Sequence, residues 1–452
     1  MEVSAWVRGA IVMVLLCVAP AWAESNAERR LRILEETVRQ QQDEIRQLRQ
    51  ELQTQQTAPA AAAKPAESPP TETAKAESKG FQPPKWLEKI ALFGDTRIRY
   101  EGFFNRPVKE GGVAHGRSRE RYRARFGLKY TYSDELSATI RLASGNPNDP
   151  ISTNQTFTGD FSRKNINLDW AFITVSPGQT FGLRPGMINV TGGKFPNPMF
   201  RVGEMVFDDD LSPEGFGETF NVLGKPWGNL DQVRVHVQQW SFNEVDNIQD
   251  GWMFGGQVNP VGHAGPFELE GGIAQYWWLN PDQIAQALNT NSSLINTNMV
   301  TSVDDDGDTE ITGYVGAFNQ TNVTLAATLP DAVWGMPLRF FGDFVHNWQG
   351  AGSHVNGVQV GAKFGQTKVR GDWAVTGLYE YEGQEAAVSS FVWSDFGNGG
   401  TNQQGPVLSF DYQLFDPLTL TARTYFTNTI QTPAETSNPT QLRLQLDAQV
   451  KF

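Results

Sequence analysis

From Trp86 onward the apolar and polar positions of the chain alternate with a period of two. The clearest case is the segment 441–452. Leu442, Leu444, Leu446, Ala448, Val450 and Phe452 fall on one parity, and Gln441, Arg443, Gln445, Asp447, Gln449 and Lys451 on the other. A strand turns successive side chains to opposite faces, so this segment has one apolar and one strongly polar face. In a soluble sheet the apolar face packs on a core. In an outer-membrane barrel it meets lipid while the polar face lines water. The aromatic at the end of the run fits the second arrangement, because aromatics settle at the membrane interface.

The same alternation recurs in about sixteen runs. They include 90–104, 120–132, 135–144, 165–176, 267–279, 356–365 and 418–430, with one that starts at Glu310 and runs on through Phe318 towards Leu329. Their connections alternate in length: Ser133-Asp134 and Asp416-Pro417 are tight, whereas Gly145 to Lys164, Asn280 to Thr309 and Glu382 to Gly405 are long. Short turns at one rim and long loops at the other belong to membrane barrels, and a sandwich rarely needs several loops of this length. The expected fold is therefore an all-β, antiparallel transmembrane barrel of about 16 strands over residues 86–452.

Ahead of it the period changes. Leu31, Leu34, Val38, Gln41, Ile45, Leu48 and Leu52 keep a/d spacing within 27–56, which predicts an α-helical coiled coil with a polar defect at Gln41. Such a coil favours self-association, a trimer among the options. Residues 57–85 are rich in Ala, Pro, Lys, Glu and Ser and predict a disordered linker. Residues 1–23 read as an export signal: Arg8 precedes an apolar run, and Ala21-Trp22-Ala23 forms the cleavage site. Cys17, the one cysteine of the sequence, lies within that signal, so a mature chain has no disulfide chemistry.

Composition narrows the function. A net charge of −13 argues against nucleic acid. His115, His236, His263, His346 and His354 are scattered without metal spacing. No nucleophile elbow, phosphate loop or zinc-protease helix is present. No enzyme activity, metal or cofactor is expected. Asp304, Asp305, Asp306 and Asp308 suggest calcium, but Gly307 does not sit where the EF-hand loop needs its glycine, and a solvated loop is the simpler reading.

The candidate chemistry lies in the lumen. Arg119, Arg121, Arg123 and Arg125 share one parity against Tyr122, Ala124 and Phe126. The preceding run places Arg97 and Arg99 with Asp95 and Glu101, and the following run adds Arg141. On the lipid side an arginine near the midplane costs about 2–4 kcal/mol, so these side chains are expected to point inward as a basic wall. Two readings stay open: a lining that attracts anions, or arginines neutralised by barrel carboxylates that merely hydrate the lumen. Glu204, Asp208, Asp209 and Asp210 are candidate constriction acids facing that wall, unless they form an exposed acidic loop.

The segments Phe93-Gly-Asp-Thr-Arg-Ile-Arg-Tyr100 and Arg121-Tyr-Arg-Ala-Arg-Phe-Gly-Leu128, with 137–144 and Ser212-Pro-Glu-Gly215, resemble the bacterial "putative porin" family. The resemblance covers about 86–452 and implies a Gram-negative outer-membrane porin. The terminal Phe452 resembles the signal read by the barrel-assembly machinery, and the N-terminal coil is similar to that of phosphate-selective porins. Their lysine ladder is missing here, so phosphate selectivity is not carried over. The expected function is passive diffusion of small hydrophilic solutes or ions through a homo-trimeric barrel in outer-membrane lipid, with the coil in the periplasm. The alternative is a structural protein whose coil tethers the membrane to the cell wall or a periplasmic partner.

Overall fold

A computed structural model describes residues 84, 86–107, 113–114, 116–244, 246, 249–305, 308–432 and 438–452. The export signal, the coiled coil and nearly all of the linker lie outside the described residues.

Sixteen antiparallel strands close on themselves. They are β1 (Ile90–Phe104), β2 (Arg117–Ser133), β3 (Leu136–Ser144), β4 (Ile166–Val175), β5 (Ile188–Lys194), β6 (Glu214–Asn221), β7 (Leu230–Asn243) and β8 (Gly251–Ala264). The circuit continues with β9 (Phe267–Leu279), β10 (Asn319–Val333), β11 (Met336–Asn347), β12 (Asn356–Gly365), β13 (Trp373–Glu382), β14 (Gln403–Phe415), β15 (Leu418–Thr429) and β16 (Gln441–Lys451). Each strand pairs with its neighbours in sequence, and β1 pairs with β16 to close the ring. Closure satisfies every strand edge internally, which the hydrocarbon layer demands.

The seam shows why a glycine stands at position 94. Gly94 and Phe452 exchange backbone hydrogen bonds of 2.9 and 3.1 Å. A Cβ at Gly94 would lie 2.3 Å from the Arg125 carbonyl oxygen and 2.8 Å from the Phe452 ring.

Side-chain parity sorts as the alternation predicts. Ile98, Phe126, Ile140, Ile273, Leu325 and Val360 are exposed on the outer surface, the face that meets lipid in a membrane barrel. Exposed aromatics collect at both rims: Trp86, Tyr132, Trp334 and Phe452 at the short-turn end, Phe157, Trp277 and Trp348 at the long-loop end. No helix among the described residues is long and apolar enough to cross a membrane.

One boundary differs from the expectation. The run from Glu310 is not the start of a wall strand: Asp308–Tyr314 pairs with Val300–Asp305 as a separate hairpin, and β10 starts at Asn319. Its alternation reflects a real strand, but one that lies in a loop. The same connection carries the short helix α1 (Asp282–Ala287), whose Asp282 carboxylate accepts the Tyr314 amide at 2.8 Å.

The lumen is not uniformly polar. The loop 195–213 folds inward, and Phe207 packs against Trp240 and Tyr276, with ring centroids 5.4 and 5.2 Å apart. A second inward loop, 383–402, stacks Phe391 on Trp278. Met199, Met205 and Met253 complete this internal apolar cluster. Inward-facing aromatics on β7 and β9 thus supply the burial that holds both loops inside the barrel, at about 25 cal/mol per Å2 of apolar surface removed from water.

Candidate functional site: the basic wall of the lumen

The register of β1 with β2 sets Asp95 opposite Arg125, Arg97 opposite Arg123, Arg99 opposite Arg121 and Glu101 opposite Arg119. Two rungs therefore place like charges directly across from each other, which is unfavourable without compensation. On the other side of β1, Arg99 faces Asp447 and Phe103 faces Arg443. Arg141 on β3 stands beside Trp170 on β4, its guanidinium 3.2 Å from the ring centroid. All seven sequence-identified arginines thus lie on the inward parity of three neighbouring strands.

Carboxylates compensate most of them. Asp95 is gripped by Arg123 (2.8 Å) and Arg125 (2.6 Å). Arg99 donates two hydrogen bonds to Asp447, at 2.7 and 2.8 Å, and a third to Asp395 at 2.7 Å. Such forked pairing with guanidinium is the strong, geometrically specific kind. Glu101, fully buried, accepts from Arg119, Arg443 and Gln445. Arg141 is paired with Asp169.

Arg97 and Arg121 are different. Their nearest carboxylates stand 3.9 Å away. Arg97 donates to Asn154 Oδ1 at 2.6 Å, and Arg121 reaches Ser152 Oγ at 3.3 Å and the Asn154 carbonyl at 3.4 Å. The Nε–H of each is buried without a hydrogen-bond partner. In a wet lumen both donors are left to meet water or a passing solute.

The four candidate acids take separate places. Asp210 alone faces the arginines, 3.2 Å from Arg125 and 3.7 Å from Arg123, and it also accepts from Thr153. Burial pushes its carboxyl up, but Arg123 and Arg125 outweigh this and hold it below the usual carboxylate range. Asp208 ties the two inward loops together by accepting the Ser394 amide at 2.9 Å. Asp209 pairs with Arg201 within its own loop at 2.9 Å, and Glu204 accepts the Asp209 amide at 3.0 Å. Burial and neighbouring carboxylates push Glu204 and Asp208 well above the usual range. The loop crosses the lumen to reach the far wall. A Cβ on Gly203 would meet the Gln359 side chain of β12 at 2.2 Å.

Sequence reasoning did not single out Asp395, Asp447, Asp169 or Arg443 as site residues. Asp447 and Arg443 lie on the polar parity of the terminal strand, so that signal was present. Asp395 sits in a loop, where no period marks direction. Burial pushes its carboxyl up, but Arg99 and Arg443 overcome this and hold it well below the usual range. The Asp304–Asp308 run falls at the turn of the 300–314 hairpin, and Asp306 and Gly307 lie outside the described residues. No group of metal-ligating side chains occurs among the described residues.

Comparisons with known proteins agree with the architecture. A family model described as "Putative porin" matches residues 104–307 and 280–452. No curated protein sequence matches. Among solved structures, the high-pH structure of Pseudomonas putida OprB aligns with a TM-score of 0.50 at 12% identity, covering 81% of this chain and 95% of that one. The low-pH structure of the same protein gives 0.46 at 10% identity, covering 81% and 94%. Salmonella typhi OmpF in complex with daunomycin gives 0.45 at 8% identity, covering 80% and 97%. At these identities the OprB likeness is one of fold alone.

Proposed function

The chain belongs to the porin family whose model it matches, and from that premise we propose that it is a passive diffusion channel whose basic lumen wall favours small anionic solutes. Family and barrel fold make it an outer-membrane channel and not an enzyme. The proposal adds how the lumen selects. The single observation that supports it most is the stack of inward arginines on β1, β2, β3 and β16, faced by Asp210 and Asp395 from the two inward loops. Where arginines outnumber the carboxylates paired with them, the wall raises the local concentration of anionic solutes.

In this reading Arg97, Arg99, Arg119, Arg121, Arg123, Arg125 and Arg141 line the path, and Asp210 is the constriction acid in direct contact with them. Asp208 ties the two inward loops together, while Glu204 and Asp209 line a second cavity with Arg339, Lys363 and Arg423. Three such barrels associate, the predicted coil lies in the periplasm, and Phe452 serves recognition by the barrel-assembly machinery. Chemical cross-linking and mass measurement in mild detergent test the trimer.

The selectivity test is electrical. In planar bilayers under a salt gradient, the purified protein should give stable steps with a reversal potential favouring anions. Replacing Arg121, Arg123 and Arg125 together with Gln should move that potential towards the cation side by tens of millivolts at low ionic strength, where fixed charges are least screened. An unmoved potential removes the three arginines from the mechanism.

A further inference from the structure

A cavity of about 220 Å3 lies at the long-loop end of the basic wall. It is bounded by Phe103, Arg106, Arg117, Arg119, Arg121 and Arg443 from the wall side, and by Asp149, Ser152, Ile295, Asp395 and Asn398 from three loops. Its volume leaves room for a small organic or inorganic ion with its nearest waters.

Its charge does not cancel. Five guanidinium groups surround the cavity, while Asp149, Asp395 and the Glu101 behind Arg119 and Arg443 supply three carboxylates. Arg119 and Arg443 are committed to those acids. Arg106 and Arg117 have no carboxylate within ion-pair distance among the described residues. Arg106 lies over the Phe103 ring, 5.5 Å from its centroid, and its Nε–H is buried without a partner. Arg121, only 9% exposed, brings a second buried and unpartnered Nε–H to the same space. Arg117 is exposed and Arg106 half-buried, so an excess of positive charge and two buried donors without partners stand beside one open cavity, a setting whose guanidinium forks match the oxygens of a small anion.

We propose that this cavity is a vestibular binding site for a compact dianion, a small molecule carrying two negative charges on oxygen, held by Arg106, Arg117 and Arg121 before it passes the constriction. The assignment rests on the porin reading above and deepens it by naming the class of solute that the channel concentrates. Monoanions neutralise half of the excess and engage one fork, so they are held far less. Asn398 and Ser152 supply polar groups at the rim of the same space.

The test uses single channels of the full chain carrying chloride current. Succinate and sulfate are added in turn to the long-loop side, with acetate at matched ionic strength as the monoanion. The dianions should interrupt the current at concentrations about tenfold or more below acetate, and the double variant R106Q/R117Q should raise the half-blocking concentration by about tenfold, each tenfold being one decade in Kd. Block by both dianions assigns the site to any oxyanion of charge two. Block by succinate alone restricts it to organic diacids, and block by sulfate alone to inorganic ions.

Only conducting channels are scored, so a misfolded variant cannot imitate the result, and the wild-type contrast between dianion and monoanion stands without it. Equal block by acetate and the dianions, or a half-blocking concentration unmoved in R106Q/R117Q, overturns the site while leaving the porin intact. A folded barrel that never conducts overturns both.

Discussion

The two faces of the inward loops treat their acids in opposite ways. Towards β1, β2 and β16, Asp210 and Asp395 meet arginines, and the attraction holds both carboxyls low in spite of burial. On the side away from those arginines, Glu385 is buried with only the Met299 amide donating to it, at 2.6 Å, and burial pushes its carboxyl up to about 7. Burial is common to both. The presence of a cation decides which acid keeps its charge. One chain thus builds a charged working surface and a neutral packing surface from the same residue type.

The largest break in this contrast should come from the charged side. Glu101→Ala strips the buried carboxylate from Arg119 and Arg443, and removing one member of a buried pair costs about 3–5 kcal/mol. Urea unfolding of the detergent-solubilised barrel should show a loss of that order. Loss below 1 kcal/mol, the range of exposed pairs, would place Glu101 in contact with water.

The neutral side should respond to pH. A carboxyl whose folded-state value is raised stabilises the fold fully below its unfolded value and loses that contribution as pH rises through the folded one. For Glu385 the window runs from its ordinary 4.5 to about 7. Proteolytic cutting within 383–402 should accelerate across that window, by up to about tenfold per pH unit. Tyr314 and the Met299 amide are the groups around it that the substitution must respect. Glu385→Gln should flatten the profile, and a slope retained in that variant would assign the pH response elsewhere.

The smallest effect sharpens the comparison. Asp210→Asn keeps the Thr153 contacts but removes the charge facing Arg125, which Asp95 still holds at 2.6 Å. A charge-assisted hydrogen bond is worth about 1.5–3 kcal/mol, and part of that is retained. The loop should stay in place while the reversal potential moves further towards anions. A shift in the cation direction would contradict the placement of Asp210 as a counter-charge to the wall.

Much of this was legible before any coordinates, for one physical reason: lipid outside and water inside impose a period of two on every crossing segment. Arg121, Arg123 and Arg125 declared their direction because Tyr122, Ala124 and Phe126 occupied the other face. The same rule carried Glu310 to Phe318 into the wall wrongly, because a hairpin within a loop alternates too. Partners were harder. Glu101 is 342 residues from Arg443 and Asp395 is 296 from Arg99, and a local pattern carries no information about which distant rung lies opposite. The internal cluster around Phe207 and Trp278 was hidden because aromatics on the water-facing parity look like exceptions until a loop is found to cover them.

The seam between β1 and β16 carries a consequence for how the molecule is made. Every rung of that ladder, and the ion pairs of Arg99 with Asp447 and Arg443 with Glu101, join residues far apart in the chain, from Phe104 with Leu442 to Asp95 with Lys451. Contacts at such separation form late, since the chain between them must be ordered before the closure is rewarded. Until β16 is in place β1 is an open strand edge, able to pair with any other chain. The arginine wall therefore takes its final form only when the two ends of the barrel meet.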